Sequence, residues 1–159
     1  MKPVIPFHQD YADMLSLLNR HRCSYVVVGA YAMSAYGYIR MTGDIDILVK
    51  PSPENAARVY SALKDFGAPL SGISIDDFTK PELIFQIGVS PVRIDIITAI
   101  DGVDTDRAIT TAEIIQKEGI DIPFLSIENI ISNKKSTGRK KDEVDAEEFE
   151  KHIKDQKNE

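Results

Sequence analysis

The chain has 159 residues, 43% hydrophobic and 28% charged, with a formal net charge of −6. These values suit one folded domain with its own core, and they exclude wholesale disorder, a fibrous repeat and a general polyanion binder. Lone Cys23 cannot form an intrachain bridge, no run reaches the roughly 18 apolar residues of a membrane span, and MKPVIPFHQDYAD lacks a signal peptide's apolar centre. A cytoplasmic protein with no membrane partner is the expectation.

In chain order, DYADMLSLLNRHR (10–22) carries Tyr11, Met14, Leu15 and Leu18 at helical spacing with Asp10 as N-cap. SYVVVG (24–29) is a short β-branched run, which predicts a strand buried on both faces. AYAMSAYG (30–37) suits a short helix of small residues closed by Gly37. DIDILV (44–49) reads as a second strand, stopped by Pro51 and Pro53, after which a helix runs to about Phe66.

Residues 67–81 are rich in Gly, Pro, Ser and Asp and predict an irregular connection. LIFQIGV (83–89) and VRIDIIT (92–98) form a hairpin across a Ser-Pro turn, and residues 112–126 form another that turns near Gly119. Helical patterns follow over 126–136 and from about Lys140 to His152, with a charged tail at 150–159. The result is a single α/β (α+β) domain over 1–159, with a mixed sheet flanked by helices.

The strand at 44–49 carries two aspartates on its leading edge. Asp44 and Asp46, at i and i+2, share one face, about 6.5–7 Å apart along the strand, and can converge on one cation or a metal pair. Asp95 stands between isoleucines in VRIDIIT, and pairing of its strand beside 44–49 would bring three carboxylates around one small volume. Such a cluster needs a cation to relieve its mutual repulsion. Mg²⁺, which takes carboxylates together with phosphate oxygens, points to metal-assisted phosphoryl or nucleotidyl transfer.

A phosphate cradle should accompany the cation. The strand ending at Gly29 opens directly into a helix with free backbone N–H groups at Gly29 and Ala30, and Arg40 and Thr42 stand just before the aspartates to hold phosphate oxygens. Downstream, Lys134, Lys135, Arg139, Lys140 and Lys141 crowd into eight residues, a local anion site within an acidic chain.

Gly29 with its short helix, Arg40, Thr42, Asp44-Ile-Asp46 and the later Asp95 together resemble the nucleotidyltransferase superfamily related to DNA polymerase β. NKKSTGRKKDEVD (133–145), with Lys134, Gly138, Arg139, Asp142 and Asp145, is similar to the bacterial branch that contains the AbiEii-type toxin nucleotidyltransferases. The resemblance covers roughly residues 24–146. It implies a minimal nucleotidyltransferase core with C-terminal helices, transferring an NMP from an NTP such as ATP to a hydroxyl acceptor with Mg²⁺ or Mn²⁺.

Carried over by position, the resemblance makes Asp44, Asp46 and Asp95 the metal ligands and catalytic carboxylates, with Asp95 assisting the acceptor nucleophile. It places Gly29 and the residues after it at the triphosphate, and Lys134 and Arg139 at the charge of the nucleotide. One departure is Gly29-Ala30, where the superfamily usually has Gly-Gly or Gly-Ser. Ser34, one turn later, or the backbone itself is the substitute. The acceptor implied is RNA such as tRNA, a protein or a small molecule. A toxin–antitoxin or phage-defence role, a cognate partner protein and an oligomer that completes the site belong to the same expectation.

Plainer readings stand beside these. An Asp-x-Asp at a strand start also serves as a solvated edge, Asp95 beside Arg93 also makes a simple ion pair, and the basic run also serves as a solvated surface. Tyr31, Tyr36 and Tyr38 suit packing better than stacking on a base. His8, His21 and His152 have no metal-ligand spacing, and no GxxxxGK[ST] loop occurs. The alternative function is a catalytically degenerate domain that binds a nucleotide or a partner.

Overall fold

A computed structural model of the chain describes residues 7–40, 43–89 and 91–158. The first apolar run forms β1 (Tyr25–Val28) with all four side chains buried, as expected of an inner strand. The helix before it, α1 (Gln9–Arg20), buries Tyr11, Met14, Leu15 and Leu18 as its spacing predicts. Its N-cap is His8 rather than Asp10, because the His8 Nδ1 accepts the Asp10 N–H at 3.1 Å. Asp10 stands instead in the first turn, where its charge complements the helix dipole.

Gly29, with φ +71°, opens α2 (Gly29–Ala35) immediately after β1. After a link that includes Arg40 comes β2 (Asp44–Val49), then α3 (Pro53–Phe66), capped by the Ser52 hydroxyl and closed by Gly67 in the left-handed region. The connection at 67–81, expected to be irregular, contains a turn of 3-10 helix at Ile75–Thr79. A capping box between Ser74 and Asp77 starts it, and fully buried Phe78 anchors it.

The two predicted hairpins are present as β3 (Ile84–Val89) with β4 (Val92–Ile97) and β5 (Glu113–Lys117) with β6 (Ile120–Phe124). Between them lies a short helix that the sequence reading did not foresee, α4 (Thr105–Thr110), whose Asp104 side chain accepts the Arg107 N–H. Two helices end the described chain, α5 (Ile127–Ser136) and α6 (Lys140–Lys157). The second runs through the stretch expected as a tail, because Phe149 and Ile153 on its inner face are buried.

The strands form one mixed sheet in the order β3-β4-β2-β1-β6-β5. β1 runs antiparallel to β2 and parallel to β6, while β2 runs parallel to β4. Helix α1 packs with α3 and α5 with α6, while α2 lies against β1 and β2 and reaches α5. One apolar cluster extends from Tyr11 to Ile153 and binds these elements together. Among the described residues, no helix is long and apolar enough to cross a membrane.

Candidate active site

Strand pairing decides where the three aspartates stand. Because β2 and β4 are parallel neighbours in register, Asp46 lies directly beside Asp95, and Asp44 lies beside Arg93. Asp46 is also paired across β1 with Val28, the residue before Gly29. A carboxylate oxygen from each of Asp44, Asp46 and Asp95 lies within 4.8 Å of the other two. Asp95 is buried, and Asp44 and Asp46 are partly so.

Crowding has an electrostatic consequence. Burial first, and then the charges of Asp44 and Asp95, push the Asp46 carboxyl up to about 7. Arg93 supplies positive charge to its neighbours: Nε donates to Asp95 Oδ1 at 3.0 Å, while Nη2 donates to Asp95 Oδ2 at 3.2 Å and to Asp44 Oδ2 at 3.1 Å. The ion pair foreseen between Asp95 and Arg93 is therefore present, and it extends to Asp44. Its reach follows from β2–β4 pairing, which no local pattern reveals.

Gly29 closes the other side. A Cβ on it would sit 2.8 Å from Asp46 Oδ2, so only glycine leaves space beside this carboxylate, and only glycine readily holds its positive φ. Ala30 continues the helix from there. Ser34 donates its hydroxyl to the Ala30 carbonyl at 2.9 Å, back along α2. Thr42 lies outside the described residues.

The basic residues gather around a second acidic pair. Asp142 and Asp145, one turn apart on α6, are both buried. Lys134 reaches both, at 3.4 and 3.8 Å, Arg139 Nε lies 2.9 Å from Asp142, and Arg40 pairs with Asp145. The Thr137 hydroxyl donates to Asp142 at 2.7 Å. Burial alone would raise the Asp142 carboxyl, but that hydroxyl and the charges of Lys134 and Arg139 hold it below the ordinary carboxylate range. Arg40, Lys134 and Arg139 are thus brought together, with α6 carboxylates between them, and Arg40 ties the chain leading into β2 to the terminal helix.

Aromatic residues pack as expected rather than standing free. Tyr31 stacks on Phe7 at 5.6 Å and meets Tyr11 edge-on, while Tyr36 and Tyr38 both meet Phe149 edge-on. Tyr11 also donates to the Arg93 carbonyl at 3.3 Å, which ties α1 to the acidic site. Sequence reasoning missed this link; the only signal was a tyrosine on the buried face of α1. A cavity of about 610 Å³ between α2, β5 and α6 is lined by Tyr36, Glu113 and His152 among others and contains none of the three carboxylates.

The donor set suits a hard divalent cation, being all oxygen and closely spaced, with the Gly29 backbone against Asp46. A family model described as "Nucleotidyl transferase of unknown function (DUF2204)" matches residues 7–159. Among solved structures, a candidate nucleotidyltransferase from Thermotoga maritima is similar over 92% of this chain and 92% of its own, with 16% identity and a TM-score of 0.59. The antibiotic-resistance factor ANT(2″)-Ia is similar over 89% of this chain and 80% of its own, with 12% identity and a TM-score of 0.52. At such identities the likeness is one of fold. No protein of curated function matches the chain.

Proposed function

The chain belongs to this family of nucleotidyl transferases, and on that footing we propose that it moves a nucleoside monophosphate from an NTP to a hydroxyl acceptor at the Asp44, Asp46 and Asp95 site. The observation that carries the reading is the convergence of the three carboxylates to within 4.8 Å across two strands. Asp44 and Asp46 would hold a divalent cation, Mg²⁺ or Mn²⁺, with Asp95 as a third ligand. When bound, such a cation supplies charge neutralisation and alignment for displacement at phosphorus.

The remaining roles belong to residues of this chain. Asp95, buried and at the β4 side of the cluster, takes up the proton of the acceptor hydroxyl. Gly29 keeps its side of Asp46 free of a side chain, so that triphosphate oxygens can come close to the backbone N–H groups of Gly29 and Ala30. Lys134, Arg139 and Arg40 meet the nucleotide's negative charge, exchanging part of their pairing with Asp142 and Asp145 for phosphate oxygens. Ser34, on giving up its bond to the Ala30 carbonyl, and Thr42 would complete the phosphate side. ATP is the first nucleotide to try.

The test is incubation of the purified protein with Mg²⁺ or Mn²⁺ and α-labelled NTPs, with bulk tRNA, cell proteins and the protein itself as acceptors. Label transfer that disappears in Asp46→Ala is the expected result. Absence of transfer to every acceptor, together with retained stabilisation by Mg²⁺-NTP, would instead identify a nucleotide-binding domain without turnover.

A further inference from the structure

Positive charge nearby relieves the crowding of three carboxylates, and Arg93 provides it. Its guanidinium takes both oxygens of Asp95 and one of Asp44, at 3.0–3.2 Å, from an adjacent position on the same sheet. Those are two of the three residues whose oxygens converge as a cation site. A guanidinium cannot shed its proton at any ordinary pH, so it remains a fixed competitor for those lone pairs.

The Arg93 head group also has solvent on one side. Its side chain is 31% exposed on an otherwise crowded site, and the guanidinium sits at the end of a flexible stem. By contrast the Arg93 backbone is fixed by the Tyr11 hydroxyl on its carbonyl and by its N–H to the Gly43 carbonyl at 3.1 Å. An anchored main chain and a part-exposed head on a long stem suit a group that swings between two positions.

We infer that Arg93 is a built-in stand-in for the cation: it clamps Asp44 and Asp95 in the metal-free protein and yields their oxygens when a divalent ion enters. Free divalent ions are therefore bound more weakly than three carboxylates alone would bind them. This inference rests on the acidic cluster being a cation site, as in the function proposed above.

Direct Mn²⁺ binding by electron paramagnetic resonance, without nucleotide, tests it in the full-length protein. Arg93→Gln should bind Mn²⁺ about tenfold more tightly than the unaltered chain, because a positive charge a few ångströms from the ion is removed. Arg93→Lys, which keeps the charge, should stay close to the unaltered chain. Equal or weaker binding by a folded Arg93→Gln, with measurable binding to the unaltered chain, would overturn the inference and leave the cation site intact. No Mn²⁺ binding by either protein would overturn both.

Should Arg93→Gln fail to fold, the unaltered chain decides the matter. Its Arg93 Nε–H resonance should shift and exchange faster with water on saturation with diamagnetic Mg²⁺. An unmoved resonance at saturation would overturn the inference.

Discussion

Asp46 shows at the residue scale how position makes an ordinary side chain unusual. Its carboxyl, normally near 3.8, rises to about 7 because burial and two neighbouring aspartates penalise its charge. A group held above its unfolded value stabilises the protein fully below about pH 4 and loses that contribution as pH rises through about 7. The metal-free protein should therefore melt at progressively lower temperature from about pH 4 to about pH 7 and level off above it. Asp46→Asn should flatten that decline in calorimetric scans taken without divalent ions; an undiminished slope would locate the titration elsewhere. Gly29 is the companion case. Gly29→Ala places a Cβ 2.8 Å from Asp46 Oδ2 at a φ of +71°, so a loss of about 1–2 kcal/mol in denaturant unfolding and weakened Mn²⁺ binding are expected. Cys23, whose thiol burial pushes up to about 12, is not a reactive centre.

Ion pairs tie elements together at the next scale. Asp145 on α6 receives Arg40 from the chain leading into β2 and Lys134 from α5, so a single carboxylate holds three segments. Removing Asp145 takes this carboxylate from Arg40, while Lys134 keeps Asp142; a cation left uncompensated costs more than the net worth of its pair. Asp145→Ala should lower unfolding free energy by about 2 kcal/mol and loosen α6, seen as faster hydrogen exchange over Lys140–Lys157; a loss below about 1 kcal/mol would mark the network as incidental. This helix is strongly charged and was expected to stop near His152, yet it runs to Lys157 because its apolar residues Phe149 and Ile153 meet the core. The same principle explains the 67–81 connection. Its composition reads as loop, but the burial of Phe78 turns part of it into an anchored 3-10 segment. Neither outcome can be read from the local pattern, since each depends on what the rest of the molecule presents to one aromatic side chain.

Over the whole molecule, the sheet order places the site on its most protected strands. β2 and β4 lie between other strands and carry the three aspartates, while β3 and β5 form the two edges. Edge residues Ile84 and Ile114 are 66% and 64% exposed, whereas Val26, Val27, Ile45 and Ile47 are fully buried. Native-state hydrogen exchange should thus be slowest at Val26–Val28, 45–48 and 94–96 and fastest among the strands in β5; equal protection of β5 and β2 would contradict this ordering. The backbone under the carboxylates is therefore firmly held, since displacing it means opening the centre of the sheet. What the sequence determined by itself was local: short apolar runs made strands, periodic ones made helices, and the two-residue spacing put Asp44 and Asp46 on one face. Those signals act between near neighbours and survive in any fold. Tertiary structure alone decided the parallel pairing that sets Asp95 against Asp46, the reach of Arg93 to Asp44, and the gathering of Arg40 and Lys134 on α6. Such contacts join residues up to 105 positions apart, and their geometry exists only once the strands have chosen their neighbours.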